Sequence, residues 1–276
     1  MAHSVRQLGS EDLDDLRQLV NQHPWRHSMV ASRLDQPGDG SAVARSFLGA
    51  FEDERLSSAL MLGANLVPIS TTEQTRRAFA DQITSSWHNC LSLVGHADEV
   101  LSLWNMLEPQ WGSAREVRQS QPFMTMDKRS QIEIDDRVRY SSLSDFDVLF
   151  PACVSMFTEE VGVSPITNGS AAYRQRVNEI VSNRRSFIRR DGDDVVFKAE
   201  VSAVGNDVAQ LQGVWVNPKY RGLGLAAPAI AAVVRFVLQD IANVVALYAN
   251  SYNAPALSAY QRVGFEQTDT FATVLL

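Results

Sequence analysis

A chain of 276 residues exceeds the usual size of one domain, and 45% apolar against 21% charged residues is the makeup of a globular protein able to bury a core. The net charge of −7 gives no basic field for nucleic acid, no apolar run approaches the roughly 20 residues of a membrane span, and residues 1–10 lack a signal-peptide core, so a cytoplasmic protein with no nucleic-acid or membrane partner is expected. Cys90 and Cys153 stand far apart and outside any metal-ligand spacing, and both read as buried apolar fillers, with no disulfide framework and no metal.

In chain order, Val5-Arg6 reads as a short strand, and Asp12-Leu13-Asp14 with Leu16 as the acidic start of a helix. Phe47 to Leu62 is a hairpin around Glu52-Asp53-Glu54. After Leu66-Val67-Pro68-Ile69-Ser70-Thr71-Thr72, a helix starts near Glu73 and runs through Ala80. The strand Cys90 to Val94 then leads to Leu101-Ser102-Leu103-Trp104.

The same order returns later. Val138-Arg139, Asp145-Phe146-Asp147 and Leu149 lie 133 positions beyond their counterparts. A second hairpin, Phe187 to Val204, turns at Asp191-Gly192-Asp193-Asp194, and the strand Val244 to Tyr248 leads to Leu257-Ser258-Ala259-Tyr260. This self-similarity predicts a degenerate tandem repeat of two halves, 1–127 and 137–276. Residues 128–136, within the charged stretch Asp127 to Asp136, form the linker; a solvated strand holding Ile132 and Ile134 is the other reading.

The second half reads strand, helix, helix, three strands, helix, strand, helix, strand. Val208 to Val216 is a strand bounded by Asn206-Asp207 and Asn217-Pro218, and Gly213 marks a bulge with or without a ligand role. Trp215 belongs to the core or to a pocket wall. Leu225 to Leu238, apolar nearly all round and broken by Arg235, predicts a helix buried against a sheet, with Pro228 in its first turn. Between strand and helix runs Arg221-Gly222-Leu223-Gly224-Leu225-Ala226. Its glycines let successive N–H groups converge while the helix start adds partial positive charge, which suits a pyrophosphate; an ordinary turn using glycine for positive φ has the same composition. Arg221 either adds charge for the phosphates or caps the strand edge. Further on, Asn253 precedes a short helix, Pro255 sits in its first turn, and Gly264 supplies a left-handed stop.

Arg221, Gly224 and Ala226 fill the three defined positions of motif A of the GNAT superfamily of N-acetyltransferases. Asn253-Ala254-Pro255-Ala256-Leu257, Tyr260 and Gly264-Phe265 resemble its second signature. The endings of a Walker loop and of a dinucleotide fingerprint are absent. The resemblance covers about residues 137–276. It implies an α/β fold of two GNAT-like domains, each a mixed, mostly antiparallel sheet flanked by helices, and an acyl-CoA-dependent N-acetyltransferase. Such an enzyme moves an acetyl group from acetyl-CoA to an amine acceptor, small molecule or protein, by direct attack in a ternary complex. In that reading, backbone groups near Val214 and Val216 bond the pantetheine amides, and Arg221, Gly222, Leu223, Gly224, Leu225 and Ala226 hold the pyrophosphate. Asn253 bonds the pantetheine arm and Tyr260 protonates the departing thiolate.

A base must also take the ammonium proton. Glu200, sharing a strand face with Lys198 and Ser202, is the candidate beside Glu159 and Glu160 at a helix end; a salt-bridged strand face is the alternative for Glu200, a solvated helix terminus for the other two. The histidines, His3, His23, His27, His88 and His96, all fall in the first half. Val161-Gly162-Val163-Ser164-Pro165 reads as an acceptor-side loop.

The first half lacks the matching chemistry. Leu66 to Glu73 holds no glycine, Pro68 has no N–H, Glu73 repels phosphate, Ala97 stands for Asn253 and Trp104 for Tyr260. A weakened half beside a working one is similar to mycothiol synthase and to actinobacterial tandem acetyltransferases. The first half is then a scaffold or an acceptor wall, with an unrelated α+β domain as the alternative. The rival function is a non-catalytic CoA-binding sensor or assembly module. Homodimer formation stays open, and the acceptor is written in loops without a recognisable code.

Overall fold

The computed structural model describes residues 4–84, 90–167 and 169–276; His3 and His88 lie outside them. The first half runs β1 (Ser4–Gln7), a 3-10 turn, α1 (Leu13–Asn21), α2 (Ser28–Leu34), α3 (Gly40–Ala44), β2 (Phe47–Glu52), β3 (Arg55–Met61), β4 (Asn65–Ile69), α4 (Glu73–Thr84), β5 (Ser92–His96), α5 (Ala97–Trp111) and β6 (Glu116–Met126). The second runs β7 (Arg139–Tyr140), a 3-10 turn, α6 (Phe146–Val161), α7 (Ala171–Ser182), β8 (Ser186–Asp191), β9 (Asp194–Gly205), β10 (Val208–Val216), a 3-10 turn, α8 (Ala226–Asp240), β11 (Val244–Tyr248), α9 (Ala254–Val263) and β12 (Glu266–Leu275).

Local chemistry accounts for the punctuation. Asp53 and Glu54 both take positive φ, 46° and 65°, the two-residue turn that matches strand twist between β2 and β3. Pro228 falls in the first turn of α8, where no N–H is needed.

The repeat is visible as matched interactions. Arg6 donates to both oxygens of Asp12 at 2.7 Å, and Arg139 to both oxygens of Asp145 at 2.7 Å. Each carboxylate also accepts the N–H that opens its 3-10 turn, from Gly9 at 2.7 Å and from Ser142 at 2.9 Å. The guanidinium beside each aspartate holds its carboxyl below the usual range, furthest for Asp145. The repeated letters thus encode one device made twice, a forked ion pair locking a strand to the helix that follows it.

The chain divides into two compact units, and the division is not the contiguous one expected from the repeat. One unit takes residues up to Met124 together with Tyr248–Asn253 and Gln267–Leu276; the other takes Thr125–Leu247 and Ala254–Glu266. The first unit's sheet has the order β1-β2-β3-β4-β5-β12-β6, parallel between β4 and β5 and antiparallel at β1–β2, β2–β3, β3–β4 and β5–β12. Its core gathers Leu60, Leu66, Phe79, Leu93, Val100, Leu103 and Trp104 with Val274 of β12. What draws β12 here is specific: Phe271 stacks on Phe123 at 4.4 Å, Thr273 bonds Gln121 at 2.6 Å, and Asp269 accepts from Arg26 at 2.5 Å and lies 3.3 Å from His96.

The second unit's sheet runs β11-β10-β9-β8-β7, parallel only between β10 and β11. Phe187 and Ile188 are consecutive and so point to opposite faces. Ile188 packs with Phe146, Leu149, Cys153 and Met156 of α6 and Val177 of α7, while Phe187 stacks on Phe236 of α8 at 6.0 Å. Helices therefore cover both faces. The stretch 128–136 forms neither helix nor strand and packs within this unit, where Asp135 pairs with buried Arg189 at 2.8 Å and its N–H bonds Pro228 O at 3.1 Å. Both cysteines are free and buried.

Candidate active site

Strand β10 carries the first part of the site. It pairs with β11 only from Val208 to Gln210, against Val244 to Ala246, so beyond Gln210 the edge facing β11 is open. On its other side β10 stays paired with β9, but Gln212 lies opposite Glu200 and Trp215 opposite Lys198, leaving one extra residue on β10. This is the bulge signalled by Gly213, whose φ is +55°. A Cβ there would stand 2.9 Å from Met156 Cε and 3.1 Å from Lys198 Nζ, both ends of flexible side chains, so it is the positive φ that favours glycine.

The turn after β10 is anchored before it reaches the glycines. Asn217 accepts from the Lys219 N–H at 3.1 Å, and Lys219 Nζ and Tyr220 OH both reach Asp194 at 2.7 Å. Gly222 and Gly224 then take φ of +78° and +72°. No side chain caps α8, and among the described residues no hydrogen bond uses the N–H groups of residues 222–226. Several unpaired N–H groups at the start of a fifteen-residue helix make an anion cradle. Leu223 is exposed beside them.

Arg221 takes the second of its two readings. Its Nε donates to Val216 O at 2.9 Å and its Nη2 to Glu159 Oε2 at 2.5 Å, while Glu159 Oε1 accepts from Trp215 Nε1 at 3.1 Å. The guanidinium ties the end of α6 to the end of β10, which is the strand-edge alternative. The Val216 carbonyl is therefore already engaged, and Val214, within the bulge, is the better placed of the two backbone positions.

Tyr260, on α9, is 6% exposed and meets Phe265 edge-on at 5.9 Å. Burial, with a smaller contribution from the Glu160 carboxylate, raises its hydroxyl well above the ordinary value, so it stays a proton donor. Asn253 stands immediately before α9, and its N–H bonds Asn250 O at 2.9 Å.

Glu200 requires a correction. It lies on one face with Lys198, as read, but that face is interior: Lys198 is 0% and Glu200 5% exposed. Glu200 Oε1 takes the Lys198 ammonium and the Cys153 thiol, the latter at 3.6 Å, and Oε2 takes Gln212 Nε2 at 3.2 Å. Burial alone would neutralise both partners; their mutual attraction outweighs it, raising Lys198 and lowering Glu200. A carboxylate so occupied and so acidic is unsuited to accept a substrate proton. The missed signal was a Lys and a Glu two apart inside the apolar run Val195 to Val201, the mark of charges in a strand covered on both faces.

In the first unit the corresponding turn is shorter and closed. Pro68 lies within β4, opposite Leu60, so it is not the residue that spoils the turn. Only residues 70–72 separate β4 from α4, against residues 217–225 between β10 and α8. The N–H and hydroxyl of Thr71 both donate to Glu99 Oε2, at 3.0 and 2.8 Å, and Thr72 and Thr75 cap each other. Glu99, buried on α5, thus brings its own carboxylate to where an anion would be held. Trp104 is buried core.

Among the described residues no cluster of three His, Cys, Asp or Glu side chains suits a metal, and no helix is long and apolar enough to cross a membrane. Residues 155–265, which include the bulge, the cradle and Tyr260, match the model of the acetyltransferase (GNAT) family. Over that segment the sequence is similar to a GNAT-family domain. Residues 45–149 match a model described as a domain of unknown function, DUF4081. No curated protein matches the sequence significantly. Solved structures share the GNAT fold along the chain. A GCN5-related N-acetyltransferase from Sphaerobacter thermophilus superposes with a TM-score of 0.62 at 13% identity, covering 98% of this chain and 94% of that one. A GNAT-family acetyltransferase from Colwellia psychrerythraea gives 0.57 at 13%, covering 99% of each. A tandem GNAT protein from the clavulanic acid biosynthesis pathway gives 0.52 at 13%, covering 99% and 98%. The chain thus shares its fold along nearly its whole length with a tandem GNAT protein, while the GNAT family model itself matches the second half.

Proposed function

We propose that this protein transfers an acetyl group from acetyl-CoA to an amine, with the cofactor held by the second GNAT half alone. The observation that carries the reading is the uncapped α8 start behind Gly222 and Gly224, whose free N–H groups fit a pyrophosphate. Residues 222–226 hold the pyrophosphate while Arg221 braces the end of β10 beside them, backbone at Val214 bonds pantetheine beside the open edge of β10, and Asn253 bonds the pantetheine arm by its place in the motif. The amine, having lost its ammonium proton to solvent, attacks the thioester carbonyl; the C–S bond breaks as the C–N bond forms, Tyr260 gives its proton to the leaving sulfur, and the proton then shed by the nitrogen restores the Tyr260 hydroxyl by way of solvent. Direct attack is favoured because both cysteines are buried and Cys153 is pushed up to about 11 by burial, leaving no thiolate nucleophile.

The test is a titration of the whole chain with CoA, run beside a transfer assay using labelled acetyl-CoA and a panel of amines. One CoA per chain and label on an amine are expected. Binding without turnover on any amine would leave a CoA-binding sensor; a second CoA site would refute the closed first half, and label trapped on the protein would refute direct attack.

A further inference from the structure

The buried pair Lys198–Glu200 has a consequence at the surface of the site, and the inference rests on the acetyltransferase reading above. Glu200, held ionised by the ammonium, can only accept hydrogen bonds. Among the described residues the side chain that links it to the half-buried surface of β10 is Gln212, which must therefore turn its amide nitrogen inward, Nε2 to Glu200 Oε2 at 3.2 Å. The amide is planar, so its oxygen points away from the carboxylate, and among the described residues it takes no hydrogen bond. Gln212 is also the residue that enters the bulge at Gly213 and Val214, where the thioester would lie.

We propose that Gln212, oriented by the Lys198–Glu200 pair, binds the acceptor: its Oε1 accepts an N–H of a primary amine and so aims the nitrogen lone pair at the thioester carbonyl. A primary amine fits because, once neutral, it keeps one N–H for Gln212 while its lone pair attacks. Lys198 and Glu200 are positioning residues. They act through Gln212, and a neutral residue at 200 would let the amide turn over.

The experiment measures acetyl transfer by the full chain to n-butylamine, spermidine and glycinamide, with CoA affinity and melting followed in parallel. Gln212→Met should lower kcat/KM for the amine about 10- to 100-fold with KM for acetyl-CoA within about twofold, as expected for one lost hydrogen bond to a cation or polar N–H. Because Glu200→Gln alone would strand a buried lysine, the pair is removed as K198M/E200Q, which leaves a neutral core. That variant should lose about 3- to 10-fold in the same constant, and adding Gln212→Met to it should cost no more than Gln212→Met alone, since the pair acts only through Gln212. Gln212→Met with unchanged amine kinetics, or losses that simply multiply, would overturn the assignment while leaving the acetyltransferase reading intact. If wild type binds CoA but acetylates none of the amines, both fail.

Discussion

In Gly224→Asp the new side chain has room, because an ideal Cβ at 224 meets no atom within 4 Å. The cost to the fold is then the φ of +72° alone, about 1–2 kcal/mol for a non-glycine residue in the left-handed region, which lowers the melting temperature by a few degrees. The cost to the ligand is larger. A carboxylate about 5 Å from a phosphate charge at an effective dielectric of about 20 opposes it by about 3 kcal/mol, or about 100-fold in affinity. Gly224→Ala carries the same strain without the charge and should lose far less binding. Calorimetry with CoA on both variants, beside thermal melts, separates the terms. A folded Gly224→Asp protein that binds CoA as wild type does would refute the cradle.

Three further outcomes are expected. Tyr260→Phe keeps the ring that packs on Phe265 and should cut turnover about 10- to 1000-fold with little change in CoA affinity; equal turnover would leave Tyr260 a packing residue. His27 is buried neutral, its pKa lowered from 6.5 to about 4, foremost by burial. Its contribution is whole above pH 6.5 and is lost as pH falls towards 4, where the loss reaches about 3 kcal/mol, so urea midpoints of His27→Leu should fall less steeply over that window than those of wild type; parallel slopes would contradict this. Asp269→Asn breaks the pairs with Arg26 and His96 and should destabilise the first unit by about 1–3 kcal/mol, read as faster amide exchange in β5 and β12.

The parts of this protein legible in sequence were those governed by neighbours along the chain. Both hairpins, the order of elements in the second half, the bulge at Gly213 and the glycine turn before α8 follow from periodicity and backbone chemistry, which act within a few residues. The parts that escaped depend on distant partners. Thr71 and Glu99 stand 28 residues apart, and nothing local to either says that the carboxylate closes the turn. Arg221 gave a charge but not its direction, because Glu159 lies 62 positions away. The last strand of the second half reads as a strand without naming its neighbour, and Glu200 reads as a base or as half of an ion pair until the depth of Lys198 is known.

The placement of β12 bears on how the protein is made. Residues 267–275 sit between β5 and β6, strands completed by residue 126. A ribosome adding about 5–20 residues per second needs on the order of ten seconds to travel from one to the other. Throughout that interval the nascent first sheet offers two unpaired borders, a template for mispairing with another nascent copy. A gene divided within 128–136 would make the interval permanent, because the upstream product would lack its seventh strand and the downstream product would carry that strand with no sheet to receive it.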